Sequence, residues 1–291
     1  MTVVSHPVAA LMALSLLPVL VVAAQSFWKE RADYVRTASP PISRHPEHTG
    51  IAGLIEISFA SPGGHRMAGW YAPSRNGAAI VLIHGTGADR SSLLFETSFL
   101  AEAGFGVLAF DLPGQGASEG RTRWGVPERE AIVAAVGWLS ERADVDPRRI
   151  GGFGLSMGAY VLAQSAVLDR RLRAVTLVSS PNDVVEQNWL ATKKWGWIAQ
   201  VPCYLALRAY GQSLDMPPNI IIGLIAPRSV FIIGGDLDTL VPPFMARQLF
   251  AAAGDPKELW MVPRAQHSDF AQAAGRDYRL RVCDYFHRTL A

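Results

Sequence analysis

From residue 50 to the C-terminus, short apolar runs alternate with longer stretches of helical spacing. Residues 79–83 (Ala-Ile-Val-Leu-Ile) and 106–110 are apolar throughout, the pattern of strands buried on both faces. Further strands are predicted at 54–60, 66–72, 149–154, 173–178, 229–233 and 258–262. The first two pair across a Ser61-Pro62-Gly63-Gly64 turn. Helical spacing predicts helices at 91–103, 127–143, 157–168, 241–253 and 269–290. The helix at 127 opens on Pro127, with Glu128 and Glu130 in its first turn, where acids complement the helix dipole. Strand–helix alternation of this kind builds a mostly parallel central sheet flanked by helices. Residues 181–228 break the rhythm, with Trp189, Trp195, Trp197 and Tyr210 around Lys193 and Lys194. A structureless loop of that length is unusual, so the segment is expected to be a small helical cap over the C-terminal edge of the sheet, inserted between strands 6 and 7. The apolar run 220–233 is cut by Pro227 and Arg228 and reads as a helix giving way to a strand.

The N-terminal residues follow a different pattern. Residues 8–24 carry no charge and span roughly 25 Å as a helix, slightly less than a bilayer core. Residues 1–28 are therefore expected to be an N-terminal membrane anchor or a signal segment, so that the protein is anchored by a single span or exported. Val22-Ala23-Ala24 offers small residues for a signal peptidase. The absence of Lys and Arg before residue 8, and the presence of Lys29, Arg31 and Arg36 after the run, favour an uncleaved anchor. A buried N-terminal helix is the third alternative. Residues 29–50, rich in Pro and His towards their end, read as a linker to one domain at 51–291.

Composition narrows the classes. Of 291 residues, 49% are hydrophobic and 18% charged, which excludes a disordered chain. Twenty-seven Lys and Arg against 25 Asp and Glu leave a net charge of +2, without the basic field that nucleic acid demands. Two cysteines, Cys203 and Cys283, are too few for a disulfide framework or a cysteine-rich zinc site and are expected to be free thiols. His45, His48 and His65 read as solvated side chains rather than metal ligands.

Four pieces carry candidate chemistry. Gly154-Leu155-Ser156-Met157-Gly158 is a G-x-S-x-G between a predicted strand and a predicted helix, the context in which such a turn presents a serine hydroxyl at a helix N-terminus. His84-Gly85-Thr86-Gly87 follows a buried strand, and its glycines let backbone amides approach a ligand. The amides of Thr86 and Met157 are the expected oxyanion hole. After the strand at 229–233, two carboxylates, Asp236 and Asp238, are candidates to orient a histidine, with Asp238 the better placed. Of seven histidines, five lie at or before residue 84 and His287 falls inside a predicted helix. That leaves His267 as the loop histidine downstream of Ser156. Ser156, Asp238 and His267 each follow a different strand, so all lie at the sheet edge where open α/β sheets bind ligands.

With these pieces in view, the chain resembles the α/β-hydrolase superfamily, in its branch of serine esterases, monoacylglycerol lipases and serine-aminopeptidase-like enzymes. The resemblance rests on His84–Gly87, Asp111-Leu112-Pro113-Gly114-Gln115-Gly116-Ala117-Ser118, the segments at 154–158 and 238–242, and His267-Ser268-Asp269. It implies an α/β-hydrolase fold and a Ser156–Asp238–His267 hydrolase acting on a carboxylic ester without metal or organic cofactor, the substrate being a small molecule or a lipid. The Asp111–Ser118 stretch is structural in that pattern. Trp189, Trp195 and Trp197 are candidates to line an acyl pocket, or else form the cap's own core. An acyltransferase, thioesterase or peptidase on the same fold and a non-catalytic binding protein remain alternatives, and residues 8–24 allow membrane association.

Overall fold

The computed structural model describes residues 45–193, 200–201, 204–205, 207–208 and 215–291. The anchor expected at 8–24, most of the linker, Trp195, Trp197 and Cys203 lie outside the described residues. Among the described residues, no helix is long and apolar enough to cross a membrane.

Eight strands form one sheet: β1 (Ile55–Ala60), β2 (Arg66–Ala72), β3 (Ala79–Ile83), β4 (Gly106–Phe110), β5 (Ile150–Leu155), β6 (Leu172–Val178), β7 (Ser229–Gly235) and β8 (Lys257–Val262). Their spatial order is β1-β2-β4-β3-β5-β6-β7-β8. Only the β1–β2 and β2–β4 pairings are antiparallel; the remaining pairings run parallel. Helices with both ends among the described residues are α1 (Leu94–Glu102), α2 (Val126–Ser140), α3 (Met157–Leu168), α4 (Val184–Thr192), α5 (Pro218–Ile221), α6 (Pro243–Ala252), α7 (Phe270–Ala274) and α8 (Arg276–Thr289).

The uninterrupted apolar strands have the cause expected of them. Side chains alternate across a strand, and each face of the sheet has its own core. Val81 and Ile83 of β3 face the core built with α2, α3 and α6. Ile80 and Leu82 face the one built with α1 and α8. All five β3 residues are buried. Each such Ile, Leu or Val contributes about 1.5–3 kcal/mol relative to exposure, so the strand tolerates no polar position.

Departures from the predicted boundaries have local causes. The helix expected at 241 starts at Pro243: the Val241 N–H is taken by Asp238 at 2.8 Å, and Pro242 has none to give. The expected long final helix breaks into α7 and α8 at Gly275, whose φ of 50 is open to glycine and not to most side chains. The helix expected at 91 begins with a 3-10 turn, Arg90–Leu93, that the Asp89 carboxylate caps through Ser91 N–H.

Between β6 and β7, α4 and α5 lie in the predicted cap segment. Its ends are tied to the body. Asp215 pairs with Arg129 of α2 at 3.2 Å. Gln164 of α3 donates to the Met216 carbonyl at 2.9 Å. Asn182 bonds Gln248 of α6. The run at 220–233 resolves as the end of α5, a 3-10 turn at Ile222–Ile225, and β7.

Candidate active site

β5 ends at Leu155 and α3 begins at Met157, which leaves Ser156 alone in the turn, at φ 56 and ψ −119. A left-handed φ is costly for a non-glycine residue and is held only where the surroundings over-determine it. Here they do. Ser156 N–H donates to Val178 O at 2.8 Å, and its carbonyl accepts from Tyr160 N–H at 3.0 Å. The flanking glycines are obligatory for space: a Cβ at Gly154 would sit 2.6 Å from Ala159 N, and one at Gly158 2.2 Å from Ile83 O.

The three side chains predicted to converge do so. His267 Nε2 lies 2.9 Å from Ser156 Oγ. His267 Nδ1 lies 2.9 Å from Asp238 Oδ2. Asp238 is buried, 3% exposed, and its other oxygen accepts from the backbone N–H groups of Leu240 at 2.9 Å and Val241 at 2.8 Å. Burial alone would raise its pKa. The bonds from His267 and from Val241 N–H outweigh burial and hold the carboxyl below its ordinary value, so Asp238 is an anion near neutrality. It therefore accepts a bond from Nδ1–H of His267, which leaves Nε2 as the acceptor facing the serine hydroxyl.

The other carboxylate, Asp236, has a different place. Its Oδ1 accepts from Arg264 N–H, the backbone of the loop that carries His267. Asp269 accepts from Gln266 N–H at 2.6 Å on the other side of the same histidine. The loops after β7 and β8 touch directly: Leu237 N–H donates to Ala265 O at 2.9 Å, and a Cβ at Gly235 would lie 2.4 Å from that oxygen. The sequence offers Asp236 only as a rival of Asp238 and marks no role for Asp269. The signal for both was their placement within three residues of a candidate site residue in a loop.

The loop after β3 presents Thr86, exposed, beside the serine: a Cβ at Gly85 would lie 3.3 Å from Ser156 Cβ. His84 sets this loop. It is fully buried, donates Nδ1–H to Gly85 O at 2.8 Å, and accepts Leu112 N–H at Nε2 at 3.1 Å. Burial lowers its pKa, and one donor with one acceptor defines a neutral imidazole. Because the peptide is planar and trans, the Thr86 N–H points away from the carbonyl that His84 holds. Among the described residues, neither the Thr86 N–H nor the Met157 N–H, at the orphan start of α3, has a hydrogen-bond acceptor. Gly87 N–H is pinned by Gln115 Oε1 at 3.1 Å.

The Asp111–Ser118 stretch underlies that loop. Buried Asp111 accepts from Arg90 N–H at 2.7 Å and Ala117 N–H at 2.8 Å, and pairs with the Arg90 guanidinium. A Cβ at Gly116 would collide with this carboxylate at 2.1 Å.

Trp189 of α4 is 47% exposed, with Leu237 and Leu240 also exposed on the loop of Asp238. Gln187 of α4 reaches the Leu240 carbonyl at 3.4 Å, so the cap and this loop meet. Among the described residues there is no group of three His, Cys, Asp or Glu able to hold a metal. His45, His48 and His65 are exposed. Cys283 is a free thiol whose pKa burial pushes up to about 11.

Comparison with known proteins agrees with the fold. The model of the alpha/beta hydrolase family matches residues 80–279. The chain is 33% identical over 230 residues to the uncharacterized protein Rv2307c of Mycobacterium tuberculosis, across 76% of this chain and 75% of that one. It is 28% identical over 247 residues to YfhR of Escherichia coli K12, across 79% of each. Among solved structures, the Pyrococcus furiosus esterase Pf2001 superposes with a TM-score of 0.72 at 22% identity, covering 87% of this chain and 98% of that one.

Proposed function

The chain belongs to the alpha/beta hydrolase family, and from that premise we propose that it is a serine hydrolase cleaving a carboxylic ester through an acyl-enzyme on Ser156. The observation that carries the reading is the unbroken pair of bonds Asp238–His267–Ser156, each 2.9 Å. In this mechanism His267 Nε2 takes the Ser156 proton as Oγ attacks the acyl carbonyl. Asp238 fixes the tautomer and stabilises the imidazolium. The Thr86 and Met157 amides receive the oxyanion, and the helix N-terminus adds its positive end. The imidazolium protonates the leaving alkoxide. Water, deprotonated by His267, then releases the acid and restores the serine.

The exposed apolar side chains of Leu237 and Leu240 on the Asp238 loop, and of Trp189 on the cap helix α4 whose Gln187 reaches that loop, support an acyl chain or other apolar group as the part of the substrate nearest the cap. A lipid-like ester also suits a protein tethered by an apolar segment at residues 8–24. The test is twofold. A fluorophosphonate probe should label wild type at Ser156 and leave a folded Ser156→Ala protein unlabelled. A nitrophenyl ester series from acetate to dodecanoate should show turnover that Ser156→Ala abolishes, with KM falling as the chain lengthens. Labelling at another residue, or undiminished turnover by Ser156→Ala, overturns the nucleophile.

A further inference from the structure

A cavity of about 460 Å³ opens at the opposite edge of the sheet from Ser156. Its walls come from the residues just before or at the starts of β6, β7 and β8, whereas the candidate active site follows the ends of β5, β7 and β8. Three arginines line it, Arg170, Arg173 and Arg228, against an apolar wall that includes Leu224, Pro227 and Pro256.

Arg228 is the fixed member of the three. Its side chain is buried, the whole residue 9% exposed, and it is clamped by backbone carbonyls: Nε donates to Ile225 O at 3.1 Å, and Nη1 to Asp169 O at 3.1 Å and Leu172 O at 3.0 Å. Its Nη2 has no acceptor among the described residues. Arg170 and Arg173 are exposed at the mouth, and neither pairs with a carboxylate among the described residues. The nearby acids are already engaged: Asp169 with Arg171 at 2.6 Å, and Glu258 with Arg288 at 3.2 Å. Burial first, then the charges of Arg170 and Arg173, push the Arg228 pKa below its ordinary value. Three mutually repelling guanidinium groups around one cavity are a standing cost that a bound anion relieves.

We propose that this cavity is a binding site for a phosphate monoester, its dianionic head held by Arg170, Arg173 and Arg228 and its small organic part resting on Leu224, Pro227 and Pro256. Guanidinium matches phosphate in planar, bidentate geometry, and a dianion balances more of the triple charge than a carboxylate does. The cavity is far larger than a bare ion needs, and its apolar side gives an esterified group somewhere to lie. The site is independent of the ester chemistry proposed above, since it shares no residue with it.

The experiment is isothermal titration calorimetry on the full-length protein at constant ionic strength, because a surface charge effect would fade under screening. The probes are glycerol 3-phosphate and dihexanoyl phosphatidic acid, with glycerol as the neutral control. The variant is Arg170→Gln/Arg173→Gln, which leaves the structural Arg228 in place, relieves its repulsion, and should therefore melt no lower than wild type and keep its ester turnover. The expected result is saturable binding of glycerol 3-phosphate by wild type, none of glycerol, and at least tenfold weaker binding by the double variant. Binding of the phosphatidic acid alone, lost in the same variant, supports the site with a lipid headgroup as its source. Absence of binding to both phosphates, or equal binding by wild type and the double variant, overturns the proposal.

Discussion

In Asp238→Asn the amide must choose which group faces which partner. The wild-type carboxylate accepts at both ends: from Leu240 and Val241 N–H at one oxygen, and from His267 at the other. The two backbone donors hold the amide oxygen, so the amide nitrogen faces His267 and donates to Nδ1. The imidazole proton then moves to Nε2, which donates to Ser156 Oγ and no longer accepts from it. The geometry survives and the base is lost. Loss of tautomer control in a Ser-His-Asp arrangement costs on the order of 10⁴ in kcat, or about 5 kcal/mol of transition-state stabilisation. Because both bonds are 2.9 Å and no other carboxylate pairs with His267 among the described residues, the full loss is expected. The assay is burst and steady-state hydrolysis of nitrophenyl acetate, with the thermal melt as the fold control. The burst should vanish with the steady-state rate, since acylation is the step that needs the base. A folded Asp238→Asn protein retaining more than about a tenth of wild-type kcat would refute the reasoning. A large loss in Asp236→Asn beside a small one in Asp238→Asn would move the role to the other carboxylate.

Three further outcomes follow from the same contacts. Asp236→Ala removes the acceptor of Arg264 N–H while leaving the tautomer control intact, so kcat should fall roughly tenfold through a looser His267 loop; a loss as large as that of Asp238→Asn would contradict this. Gly158→Ala puts a Cβ 2.2 Å from Ile83 O, which backbone movement must absorb at a cost of about 1–3 kcal/mol or more, read as a lower urea midpoint together with loss of fluorophosphonate labelling. His84, neutral when folded because burial lowers its pKa, takes up its proton more readily unfolded, so stability is full above the unfolded value of about 6.5 and declines as pH drops below it. Urea unfolding at pH 7.5 and 5.5 should show that decline in wild type, and less of it in His84→Gln.

The strands were legible because their cause is local. A strand buried on both faces has no polar position to offer, and β3 and β4 announce themselves in five residues each. The serine turn was legible for a related reason: Gly154 and Gly158 are glycines because backbone atoms lie within 2.6 Å of where a Cβ would be. The helix boundaries were less so, because they depend on who takes a given N–H. No periodicity reveals that Asp238 withdraws Val241 from the helix, or that Gly275 splits the last one. The arginine cavity was invisible for a stronger reason. Arg170 and Arg228 are 58 positions apart and meet only because β6 and β7 are neighbours in the sheet.

The candidate active site is also held by loops rather than by the strands themselves, and the means is the same three times over. Asp238 takes two N–H groups of its own loop, Asp236 takes one from the loop of His267, and Asp269 takes another from that loop. Each carboxylate converts a flexible connection into a fixed one through bonds from backbone N–H groups, which cost no side-chain entropy on the donor side. His84 does the same for the Thr86 loop from within the core. A nucleophile and its base must stay within a few tenths of an ångström of hydrogen-bonding distance to be useful. That precision comes here from carboxylates and a neutral imidazole that never need touch a substrate, so loss of exposed Asp236 or half-buried Asp269 should loosen the site and slow it by degrees, whereas loss of Ser156 removes the chemistry itself.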